Sequence, residues 1–86
     1  MSRDRCLASE ATRLVLDRIG LRTYLFGVRL DARECVVELE HPKEGRWRYA
    51  VLRASSRELI ASLDDPSRRD AIARAWSADL ARANAA

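Results

Sequence analysis

The chain has 86 residues, of which 48% are hydrophobic and 34% are charged. A chain of this length supports one domain with a single core, and its composition excludes a disordered tail. No apolar stretch approaches the roughly 20 residues of a membrane-spanning helix, so no membrane association is expected. No apolar stretch follows the charged N-terminus either, so we expect no signal peptide and a cytoplasmic location.

The charges are mixed rather than clustered. The chain has sixteen basic and thirteen acidic residues, for a net charge of +3. Their alternation is unlike the runs of like charge in basic nucleic-acid-binding arms. Fifteen of the basic residues are arginine and fourteen residues are alanine, a bias that codon usage in a GC-rich bacterial or phage genome would produce. The alternative is selection of arginine for bidentate contacts with phosphate or carboxylate groups, which lysine does not make.

The N-terminal segment predicts an amphipathic helix over about residues 3–19. Its apolar positions share one side of a helical wheel; they are Leu7, Ala8, Ala11, Leu14, Val15 and Ile19. Gly20 follows directly, and glycine is typical of this position because it adopts the left-handed conformation that ends a helix.

Three strands are predicted next, over about residues 22–31, 34–40 and 46–54, because apolar residues recur there with a period of two. The predicted connections are Ala32-Arg33 and residues 41–45, which include Pro42 and Gly45. Connections this short join antiparallel neighbours, so we expect a three-stranded meander.

The alternation also predicts the register of both hairpins. In the first hairpin the predicted inward pairs are Leu30–Cys35, Val28–Val37 and Phe26–Leu39. In the second hairpin they are Leu39–Trp47, Val37–Tyr49 and Cys35–Val51. On the opposite face this register sets Glu40 against Arg46 and Glu38 against Arg48, as cross-strand ion pairs.

Two further helices are predicted, over about residues 56–64 and 66–83. Ser55 and Glu58 have the spacing of a capping box, and Asp65 followed by Pro66 is typical of a helix start. The sequence therefore predicts a single α+β domain over residues 1–86, in the order α-β-β-β-α-α, with the helices packed on one face of the meander.

Few residues could carry catalysis or bind a metal. His41 is the single histidine and lies in a predicted turn, while Cys6 and Cys35 lie far apart in the sequence. Both thiols lie on predicted elements with buried apolar faces, so we expect them to be free and unreactive. The three residues lack the spacing of a zinc site, and no glycine-rich loop precedes a helix. We expect no enzymatic activity, no metal and no cofactor.

The order of the first five elements is similar to that of the double-stranded-RNA-binding domain, which binds RNA by its shape. The resemblance is one of topology alone. The lysine-rich start of that domain's last helix is replaced here by Ser55-Ser56-Arg57-Glu58, and no family is assigned from it.

The sheet face opposite the core is predicted to carry a partner, since apolar residues lie there among charged ones. The predicted contacts are Leu25, Arg29, Val36, Arg46, Arg48 and Leu52. We expect a small interaction or regulatory domain that self-associates, most simply as a dimer. One alternative is that the last helix covers this face.

The second alternative is a nucleic-acid-binding module that uses the arginines of the same face: Arg29, Arg46 and Arg48. Arg68 and Arg69 are also notable, because cations at the start of a helix oppose its dipole. Binding of a partner is one interpretation of these two. The other is an ordinary solvated surface of mixed charge, since Asp64, Asp65 and Asp70 nearby largely cancel their charge.

Overall fold

The computed structural model describes residues 3–40 and 49–85. Its elements are α1 (Arg3–Arg18), β1 (Leu25–Leu30), β2 (Glu34–Glu40), β3 (Tyr49–Ser55), α2 (Ser56–Ala61) and α3 (Pro66–Ala85). The strands form one antiparallel sheet in the order β1-β2-β3, and the helices pack against one face of it. The predicted α+β class and element order are confirmed. No helix in the described ranges is both long enough and apolar enough to cross a bilayer.

The register of the first hairpin is the predicted one. Its inward pairs are Leu30–Cys35, Val28–Val37 and Phe26–Leu39. A hydrogen bond of 2.8 Å from the backbone N–H of Asp31 to the carbonyl of Glu34 closes the connection at Ala32-Arg33. A two-residue connection fixes which residues face each other, and the alternation of side chains then determines which face is buried.

The predicted register of the second hairpin is wrong by three residues. Glu40 faces Tyr49 rather than Arg46, and Glu38 faces Val51 rather than Arg48. An odd shift exchanges the two faces of a strand, so β3 directs a different set of residues toward the helices. These inward residues are Ala50, Leu52 and Ala54. The predicted turn at residues 41–45 and the predicted strand start at residues 46–48 lie outside the described residues.

The packing of α3 explains why β3 takes this register. Trp76 on α3 is fully buried in the same cluster as Ala50 and Leu52. Its indole Nε1 donates a hydrogen bond of 3.1 Å to the backbone carbonyl of Arg53. The small side chains of Ala50 and Ala54 leave the volume that a close-packed indole requires. In the predicted register Tyr49 and Val51 would point inward instead and would fill that volume.

The buried stripe of α1 is rotated from the predicted one. Its buried residues are Ala8, Ala11, Thr12, Val15 and Leu16. Leu14, which was predicted to be in the core, is 37% exposed. Because α1 contacts α2 and α3 as well as β1, its buried side is set by the helical neighbours and not by the sheet alone.

Both later helices begin with the predicted caps. The hydroxyl of Ser55 accepts a hydrogen bond of 3.4 Å from the backbone N–H of Glu58. The Oδ1 atom of Asp65 accepts hydrogen bonds from the backbone N–H groups of Ser67, at 3.0 Å, and Arg68, at 3.4 Å. These bonds satisfy donors that the first turn of a helix leaves without partners.

Arg68 and Arg69 stabilise the junction between α2 and α3. The Nη2 atom of Arg69 donates to the carbonyl oxygens of Ser62, at 2.9 Å, and Leu63, at 3.1 Å, directly after α2. Carbonyl groups at a helix C-terminus lack intrahelical partners and favour a cation. Arg68 forms an ion pair of 3.3 Å with Glu58. These contacts give both arginines a role in helix stability, and a role in binding a partner is not tested by them.

Candidate functional site

The candidate site is the sheet face that points away from the helices, which we call the outer face. Its described members are Leu25, Gly27, Arg29, Glu34, Val36, Glu38, Glu40, Val51, Arg53 and Ser55. The buried apolar side chains of all three helices belong to the cluster built on the opposite face. In residues 3–40 and 49–85 no helix covers the outer face, and coverage by the last helix is excluded for this part of the chain.

Two large apolar side chains are exposed on the outer face. Leu25 on β1 is 59% exposed and Val51 on β3 is 39% exposed. Val36, on the central strand, is only 2% exposed, although it lies outside the core cluster. The register places it between Arg29 and Arg53, and the aliphatic stems of arginine can cover a neighbouring apolar side chain.

The register arranges the outer face in rows that run across the three strands. One row, which we call the Glu38 row, contains Gly27, Glu38 and Val51. The next, which we call the Arg29 row, contains Arg29, Val36 and Arg53. The two rows are adjacent and carry opposite charge.

The two arginines of the Arg29 row differ in their partners. Arg53 forms an ion pair of 3.4 Å with Glu34 on β2. Arg29 is exposed and forms no ion pair or hydrogen bond with any described residue through its side chain. Its positive charge is therefore available to a second molecule.

A hollow of about 330 Å³ lies next to Gly27 on the outer face. It is lined by Leu25, Phe26, Gly27, Glu38, Leu39 and Glu40. Four of these six residues belong to the outer face, and the two charged residues in the described part of the lining are both carboxylates. The hollow is therefore acidic and partly apolar.

The predicted contact residues do not all lie on this face. Leu25 and Arg29 are exposed there, and Val36 is there but buried. The placement of Leu52 is corrected: it is 1% exposed and belongs to the core, because the register shift turns it inward. Arg46 and Arg48 lie outside the described residues.

Sequence reasoning missed Gly27 and Val51. Val51 was assigned to the core by the shifted register. Gly27 carried a usable signal, because a glycine inside a strand often marks the close approach of another group. In the structure a Cβ at this position would meet no atom within 4 Å, so no described part of this chain approaches Gly27 closely.

The two cysteines differ in environment. Cys35 is buried in the core, and burial together with the charge of Glu34 raises the pKa of its thiol to about 11, so the reactive thiolate is suppressed at neutral pH. Cys6 is exposed on α1, which corrects the expectation that both thiols are buried. The described residues contain no group of three or more metal-ligating side chains, and His41 lies outside them.

A second concavity, of about 780 Å³, lies beside the β1–β2 turn. It is lined by Asp4, Ala32, Arg33, Ser55, Ser56, Arg57, Ile60 and Ala61. Arg33 and Arg57 are exposed and form no ion pair within residues 3–40 and 49–85. Asp4 adds a negative charge to the same groove, so the groove has no single sign of charge.

Comparison with protein-family models, with curated proteins and with solved structures finds no match to this chain.

Proposed function

We propose that this chain is a small, non-enzymatic interaction or regulatory domain that self-associates through the outer face of its sheet. The observation that carries the proposal is the exposure of Leu25 and Val51 on a face that no described helix covers. Removing such apolar side chains from water favours association. Two exposed apolar residues on one face are explained economically by a second copy of the same face.

The charges of the outer face support a specific contact. Charged residues of both signs surround the apolar ones, with the Glu38 row beside the Arg29 row. Charges arranged in this way fix the orientation of two partners and disfavour other orientations. The face therefore fits an oriented dimer better than non-specific aggregation.

The size of the face predicts a weak dimer. Three strands about 4.8 Å apart and about 20 Å long present roughly 300 Å² in projection. A stable interface buries about 800 Å² per partner. The association should therefore depend on concentration, and its measurement needs a range from about 10 µM to about 1 mM.

The test is light scattering on a size-exclusion column for the wild type, Leu25→Asp and Val51→Asp. Leu14→Asp is the matched control, since Leu14 is also exposed but lies on α1. We expect a dimer at high concentration for the wild type and the control, and monomers for both outer-face variants. A wild type that stays monomeric contradicts the proposal, and so does a dimer that survives both outer-face substitutions.

A nucleic-acid-binding module is the second candidate. The observation in its favour is that Arg29, Arg33 and Arg57 are exposed and form no ion pair with a described residue. Binding to DNA through such residues weakens with salt, and log K falls by about 0.9 per phosphate contacted. A preparation that releases nucleic acid at high salt, and that loses binding in Arg29→Glu, would favour this function over self-association.

A further inference from the structure

We infer that the hollow beside Gly27 receives the side chain of Arg29 from a second copy of this chain. The inference rests on the proposed self-association and assigns the contact that orients the dimer. It is argued from the glycine, from the chemistry of the hollow and from the order of the rows.

Gly27 is not explained by the described fold of one chain. Its φ is not positive, because Gly20 is the one glycine of the described residues with a positive φ. A Cβ at position 27 would meet nothing within 4 Å. Glycine inside a strand reduces stability relative to residues with a side chain. A close approach by another molecule accounts for a glycine at this position.

The lining of the hollow selects the chemistry of its occupant. Glu38 and Glu40 supply two carboxylates, and Leu25 supplies an apolar wall. A cationic side chain with an aliphatic stem complements both features, and arginine also offers several donors to carboxylate oxygens. None of the described residues that line the hollow is a cation.

The order of the rows places such a cation in reach. In a symmetric dimer of two facing sheets, the two-fold axis lies between the sheets and each contact occurs twice. If this axis is perpendicular to the strands and passes between the Glu38 row and the Arg29 row, the Glu38 row of each copy faces the Arg29 row of the other copy. Arg29 of each copy then lies over Gly27 of the other copy and beside Glu38. The same axis sets Arg53 over Val51, where its stem covers the exposed valine.

The glycine is tested by Gly27→Val. Valine favours a strand and would meet no atom within 4 Å at its Cβ, so the midpoint of urea unfolding should not fall. The same side chain fills the hollow, so the dimer should dissociate at concentrations at least about tenfold higher than for the wild type. This combination separates loss of the contact from loss of the fold.

The charge contact is tested by mixing two variants. In a homodimer of Arg29→Glu the new carboxylate would face Glu38 of the other copy, and in a homodimer of Glu38→Arg the new guanidinium would face Arg29. Like charges repel in both cases, so each variant alone should be monomeric. In an equimolar mixture the heterodimer has two complementary contacts. In one, the native Arg29 of one variant meets the native Glu38 of the other; in the other, the two substituted side chains, which also carry opposite charges, meet each other. We expect light scattering to show a dimer in the mixture only. Arg74→Glu, at an exposed position on α3, is the control and should dimerise like the wild type.

The outcomes separate this inference from the proposed function. If Leu25→Asp and Val51→Asp abolish the dimer while Gly27→Val and Arg29→Glu dimerise like the wild type, the outer face is the interface and the Arg29 contact is wrong. Failure of the mixture to dimerise, with both single variants monomeric and folded, also overturns the contact. A monomeric wild type overturns both.

Discussion

The indole Nε1 of Trp76 lies 3.1 Å from the backbone carbonyl oxygen of Arg53 and donates a hydrogen bond to it. β3 is an edge strand, and edge strands present backbone groups without partners. This bond satisfies one of those groups and joins α3 to the sheet. The last helix lies on the inner face, and no helix of residues 3–40 and 49–85 covers the outer face.

Replacing Trp76 with Phe should lower the free energy of unfolding by about 1–3 kcal/mol, because the Arg53 carbonyl loses its donor and the core loses volume. Urea unfolding followed by far-ultraviolet circular dichroism measures this loss. An unfolding free energy within about 0.5 kcal/mol of the wild type would show that the hydrogen bond contributes little.

Arg69→Gln should be more destabilising than Arg68→Gln, although the residues are adjacent. Arg69 donates to two carbonyl groups after α2, and hydrogen bonds from a charged donor contribute about 1.5–3 kcal/mol. Arg68 forms ion pairs at the surface, where a pair contributes about 0–1 kcal/mol. Thermal or urea unfolding of the two variants compares them directly, and equal losses would contradict the capping role of Arg69.

Leu52→Asp and Val51→Asp test the register of β3. Leu52 is 1% exposed and Val51 is 39% exposed. A carboxylate at position 52 would be buried without a partner and should prevent folding, whereas one at position 51 reaches solvent. Circular dichroism should show loss of structure in Leu52→Asp only. Stable folding of Leu52→Asp together with unfolding of Val51→Asp would restore the register predicted from the sequence.

Cys35 should make the fold less stable at alkaline pH. Burial raises the pKa of its thiol from 9.0 to about 11, so between these values the unfolded chain loses the proton and the folded chain keeps it. The thiol's contribution is complete below about pH 9 and falls as the pH rises toward 11, by at most about 1.4 kcal/mol per pH unit. Urea unfolding from pH 8 to pH 11 should show a steeper loss for the wild type than for Cys35→Ala, and parallel curves would contradict this.

The first hairpin and the helix starts follow from local rules. The two-residue connection at Ala32-Arg33 fixes one pairing, and the period-two alternation extends it along both strands. Ser55 and Asp65 cap α2 and α3 because their side chains accept hydrogen bonds from N–H groups two or three residues ahead. These interactions are local, and so sequence spacing is sufficient to predict them.

The second hairpin does not follow from local rules. Apolar residues occupy both faces of β3, including Val51 on one face and Leu52 on the other, so alternation cannot choose between registers. The choice involves packing with Trp76, which lies more than twenty positions later in the chain and is buried in the same cluster as Ala50 and Leu52. Tertiary packing therefore determined the register, and it also determined which residues reach the outer face.

The candidate site could be predicted only on the strand whose register follows from the sequence. Leu25 and Arg29 lie on β1, whose register was correct, and both are exposed on the outer face. Leu52 lies on β3 and was assigned to the wrong face. The significance of Gly27 does not follow from the sequence alone, because it depends on the fold leaving the space next to this residue empty of described atoms.

The measurement that tests the central claim most directly is dilution of isotope-labelled protein, followed by backbone amide chemical shifts between about 1 mM and about 20 µM, a range that brackets weak association. Self-association through the outer face predicts shifts that change with concentration in residues 25–29, 36–38 and 51–53 and that stay constant along α1 and α3. Shifts that do not change with concentration, or that change only along the helices, would contradict it.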